Sequence, residues 1–83
     1  MNEIYELGKN IRKQIKKKNA FHHATMLGNI ITSGSNDNSA LEYLMKIVSG
    51  YELKVDLTPL TKVVETIELH TGLQMLLAGM LSE

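Results

Sequence analysis

Apolar residues in the first half of the chain recur at steps of three and four. Ile4, Leu7, Ile11 and Ile15 form one such set, Ala24, Leu27, Ile30 and Ile31 a second, and Leu41, Leu44, Met45, Ile47 and Val48 a third. Each set falls on one face of a helix. The spacing predicts a helix over residues 2–19, another over 22–32, and a third that Asn38 or Ser39 caps and Gly50 ends. After Ser49-Gly50 the period changes to two: Tyr51, Leu53, Val55 and Leu57 alternate with Glu52, Lys54 and Asp56. That is the pattern of a half-buried strand, and Pro59 denies it a continuation. No second run of comparable quality offers it a neighbour within the chain, so residues 51–57 are expected to pair with the same residues of a second copy.

From about Leu60 to Met80 the chain is again helical in period, starting at Thr58 or Thr61, with Gly72 and Gly79 as points where it could divide. Leu73 to Leu81 is apolar nearly all round. Such a segment packs over its own core, a partner subunit or a second protein. Ser33-Gly-Ser-Asn-Asp-Asn-Ser39 holds no apolar side chain and reads as a loop.

Composition narrows the class. With 83 residues, 43% hydrophobic and 22% charged, the chain makes one domain, globular but small enough for a second copy to help its stability. It divides into residues 1–59, carrying the helices and the strand, and a helical extension over 60–83. The absence of cysteine removes disulfides and thiolate metal sites and fits a cytoplasmic location. No apolar run approaches the roughly 18 residues that cross a membrane, so no membrane association is expected. Net charge is zero, but its distribution is uneven. Residues 1–22 hold Lys9, Arg12, Lys13, Lys16, Lys17 and Lys18 against Glu3 and Glu6, a local +4, and the remainder carries −4. One face can therefore meet a polyanion although the total charge is nil.

Enzyme signatures are missing: there is no phosphate loop, no nucleophile elbow and no evident acid–base pair. His22 and His23 point about 100° apart on a helix and cannot chelate one ion as a pair four apart could. No metal or cofactor is expected. The polar face His22, His23, Thr25 and Asn29, directly after the basic segment, suits another task. Lysines can hold phosphates while His, Thr and Asn reach base edges in a major groove.

Residues 33–59 carry a resemblance. Leu41, Leu44, Lys46, Ile47, Gly50, Tyr51 and Leu53 stand where the lambda-repressor/Cro (XRE-type) helix-turn-helix family places its "Leu-x-x-Leu-x-Lys-Ile" helix and "Gly-Tyr-x-Leu" segment. The closest branch is that of antitoxin repressors such as HigA and HipB. Leu27-Gly28-Asn29-Ile30 resembles part of that family's recognition helix, with Gly34 one residue out of place, and the family's scanning-helix signature is absent. The resemblance implies a mainly α domain of four to five helices. Its one short strand, with Tyr51, Leu53, Val55 and Leu57, would pair across a homodimer. It also implies a repressor of double-stranded DNA, antitoxin- or mobile-element-encoded. Lys13, Lys16, Lys17 and Lys18 would then hold phosphates, His22, His23, Thr25 and Asn29 would read bases, and Ser33, Ser35 and Asn36 would touch the backbone. The alternative is a small phage or mobile-element protein that binds a partner protein, through Leu73 to Leu81, or a small ligand, without binding DNA.

Overall fold

Helix α1 (Asn2–Lys17) turns Ile4, Leu7, Ile11 and Ile15 inward in the computed structural model, which describes residues 2–33, 36–63 and 69–82. Four more helices follow: α2 (His22–Thr32), α3 (Asp37–Gly50), α4 (Thr58–Val63) and α5 (Leu69–Leu81). The chain is mainly helical as expected, and among the described residues there is no strand. α5 packs against each of the other four helices. Leu73, Leu76 and Met80 on α5 are fully buried, with Ile11, Ile15, Leu27, Leu44 and Leu60 around them. Burial of each such side chain stabilises the fold by about 1.5–3 kcal/mol. No polar or charged residue is buried among those described.

The tightest packing is between α1 and α5. Gly8 and Gly79 meet at the crossing, and a β-carbon on either would run into backbone of the opposite helix. Gly79 and Gly72 both lie buried inside α5 without dividing it. The apolar tail therefore closes over the chain's own core. Leu81 stays half exposed at its end, and Met75 and Leu77 are only partly covered.

Two helices stop by the same device. At the end of α3, Glu52 N–H donates to the Ser49 carbonyl and Leu53 N–H to the Val48 carbonyl, with Glu52 itself at φ 53°. At the end of α1, Asn19 N–H donates to Lys16 and Ala20 N–H to Ile15, with Asn19 at φ 57°. This pairing satisfies the last free carbonyls and needs one left-handed residue. Gly50, expected to be that residue, lies instead within the last turn of α3. Leu53, directly after the left-handed residue, is buried.

At the other end of α3 the cap is Asn36, whose side chain accepts from Asn38 N–H at 2.7 Å. The helix thus begins before Asn38 and Ser39. Asp56 does similar work ahead of α4, accepting from Thr58 N–H at 2.9 Å and from the Thr58 hydroxyl.

Residues 53–57 are the main departure from expectation. Burial alternates as in a strand, Leu53 buried, Lys54 and Asp56 exposed, Val55 and Leu57 half-buried. Their edge partner, however, is a side chain. Gln14 of α1 accepts from Lys54 N–H at 2.8 Å and donates to the Lys54 carbonyl at 3.0 Å. One amide thus copies what a neighbouring strand would offer, and the segment is pinned to α1 without a ladder.

Candidate nucleic-acid interface

The exposed side of α1 is basic. Lys9, Arg12, Lys13, Lys16 and Lys17 recur at steps of three and one, which puts them on neighbouring rows opposite the isoleucine stripe. With Ser82, just beyond α5, these five line a shallow groove of about 340 Å³. The one histidine–carboxylate contact among the described residues is elsewhere, His70 Nδ1 to Asp37 Oδ1 at 2.8 Å, joining the first turns of α5 and α3. No described acid neutralises the stripe. Glu6 lines an adjacent depression with Lys9, Asn10 and Lys13. Lys18 is exposed in the turn after α1 and does not line the groove.

Phe21 joins this stripe to α2. It is the residue before the helix, and its ring carries Arg12 Cζ at 5.2 Å and Lys16 Nζ at 5.7 Å from the centroid. Both distances fall within the range of cation–π attraction. Neither Arg12 nor Phe21 was singled out by charge or periodicity as a site residue. The available signal was Arg12 four positions before Lys16, with the chain's single phenylalanine just downstream.

On α2, His22, Thr25 and Asn29 share the exposed face as expected, with Met26 among them. His23 does not. Its ring turns toward α3, where Nδ1 lies 2.6 Å from the Tyr43 hydroxyl and Nε2 lies 2.9 Å from the Tyr51 hydroxyl. The Tyr43 hydroxyl donates to the Met26 sulfur at 3.3 Å. The consistent arrangement is therefore Nδ1–H donating to Tyr43 and Nε2 accepting from Tyr51. Partial burial first, and charge repulsion from His22 second, whose tilted ring lies 4.2 Å away, hold the His23 pKa below its usual value. Burial, and then Tyr51, push Tyr43 up, so its hydroxyl stays neutral. His23 is thus a strut between α2 and α3, unlike the outward-facing ring expected of it. Both of its nitrogens are occupied.

The remaining expected contacts divide. Ser33 ends α2, its hydroxyl bonded to the Ile30 carbonyl, and Asn36 is committed through its side-chain oxygen to α3. Ser35 lies outside the described residues. Of the expected dimer residues, Tyr51 bonds to His23 and Leu53 is buried within the chain. Val55 and Leu57 keep partial exposure. Among the described residues no group of three His, Asp or Glu side chains is placed to hold a metal, and no helix is long and apolar enough to cross a membrane.

Compared with known protein families, with curated proteins and with solved structures, the chain matches none.

Proposed function

We propose that this chain binds double-stranded DNA and acts as a repressor. Its α1 stripe would lie along phosphates and the exposed face of α2 would approach base edges. The observation that carries this reading is the stripe itself: five cations on one side of a helix, unpaired with any described acid and coupled through Phe21 to the start of α2. Lys13, Lys16 and Lys17, with Lys18 beside them, supply the sequence-independent attraction, and His22, Thr25 and Asn29 the discrimination. His23 drops out of the reading set and supports it from behind.

The repressor proposal includes a homodimer through residues 53–57, since Tyr51 and Glu52 are spent on the turn that ends α3. Gln14 occupies the edge of this segment that carries the Lys54 amide and carbonyl. Successive backbone groups of an extended chain face opposite ways, so Val55 presents its N–H and C=O on the other edge. A two-fold axis at Val55 would let two copies exchange those bonds, and the dimer would address half-sites roughly 34 Å apart. A gel shift of the chain's own upstream DNA, at two salt concentrations, tests DNA binding. A retarded species that fades steeply with salt is expected, and equal mobility at both concentrations would remove the proposal. Sedimentation equilibrium tests the dimer, which Val55→Pro should reduce to monomer.

A further inference from the structure

We propose that Arg12 forms, with Lys9 and Lys16, a phosphate-specific subsite in the groove between α1 and the end of α5. This rests on the DNA reading for its ligand, a backbone phosphate, but the geometry is its own. A lysine stripe alone attracts anions without fixing where they sit. Arg12 differs because its guanidinium is held: its Cζ sits over the Phe21 ring, and its Nε is buried with no hydrogen-bond partner. A covered N–H without an acceptor is costly, and native structures rarely keep one without a reason. Fixed in this way, the guanidinium can offer its fork to an oxyanion in the groove that Arg12 lines, taking two oxygens of one phosphate side by side.

The surroundings suit that ligand. Lys16 shares the Phe21 ring and Lys9 is placed over the Tyr5 ring, so two ammonium groups are steadied on either side of Arg12. Glu6 borders the adjacent depression and not this groove. The ring that positions Arg12 also begins α2, so a phosphate seated here would set the register of α2 on the duplex.

The test uses the full chain labelled with ¹⁵N. The Arg12 Nε–Hε resonance is followed while inorganic phosphate, and separately a short duplex, is added. Saturable movement with both is expected. Arg12→Lys keeps the charge but loses the fork and the Nε donor. It should weaken duplex binding roughly tenfold, with the salt dependence unchanged. Phe21→Leu should weaken it too while leaving every cation in place. If the duplex binds but Arg12→Lys equals wild type, or the Arg12 signal stays fixed, the subsite is overturned and the DNA reading stands. If the Arg12 signal saturates with phosphate while no duplex binds, the subsite stands and the DNA reading falls.

Discussion

Gly8 and Gly79 face each other across the α1–α5 crossing, each filling the place where the other helix's backbone leaves no room for a side chain. A β-carbon on Gly8 would meet the Leu76 carbonyl oxygen, and one on Gly79 the Tyr5 carbonyl oxygen. Close approach of this kind is open to glycine alone. It brings the end of α5 beside the basic stripe, so the groove exists because these two residues have no side chains.

Replacing either glycine should therefore separate the helices. Gly8→Ala or Gly79→Ala is expected to lower stability by about 1–3 kcal/mol through overpacking against backbone. Gly50 provides the contrast, since nothing lies within 4 Å of a β-carbon built there. Gly50→Ala should be neutral or stabilise by up to about 1 kcal/mol. Urea unfolding of the three variants measures both effects, and equal losses in all three would contradict the packing described.

Glu52 carries the left-handed turn that ends α3, at φ 53°, a conformation that costs an L-residue about 1–2 kcal/mol. Glu52→Gly should raise the midpoint of thermal unfolding, and Glu52→Val should lower it. Asn tolerates this region better, so Asn19→Gly should gain less than Glu52→Gly.

His23 makes stability depend on pH. Its folded pKa lies below the ordinary 6.5 because burial, and then His22, disfavour the charged ring. Below 6.5 the unfolded chain takes up a proton that the folded one declines. The stabilising contribution is therefore complete above pH 6.5 and falls as the pH drops toward the folded pKa. Unfolding free energy measured from pH 7.5 down to pH 5 should decline, and His23→Gln should flatten that part of the curve.

Gln14 pins residues 53–57 to α1. Gln14→Ala removes both bonds to Lys54. The loss should be modest, about 1 kcal/mol, because the site is exposed and water can replace the amide. Faster hydrogen exchange at Lys54 N–H is the specific readout.

Helices were legible in the sequence wherever one face alone was apolar. The span of α2, residues 22–32, and the inward stripe of α1 follow directly from spacing, and so does the exposure of His22, Thr25 and Asn29. Three features were not legible, each for a physical reason. Alternation over 51–57 reports which side chains are covered, and it is blind to whether the backbone edge meets a strand or the amide of Gln14. Gly50 looked like the stop for α3 because glycine adopts positive φ at no cost, yet the helix runs through it and the left-handed position falls on Glu52, just before buried Leu53. His23 sits on the flank of α2, where periodicity cannot tell a solvent-facing ring from one that reaches two tyrosines on another element. Of the expected site residues, those on α1 depended only on local charge pattern, and they are the ones that gather around one groove.

The proposed contact between the α1 stripe and DNA phosphates is tested most directly by the salt dependence of duplex binding. Fluorescence anisotropy of a labelled duplex should give an affinity that falls linearly on logarithmic axes as salt rises. Each of Lys13→Ala, Lys16→Ala and Lys17→Ala should lower the slope by about 0.9. Wild-type affinity in all three variants, or binding indifferent to salt, would contradict it.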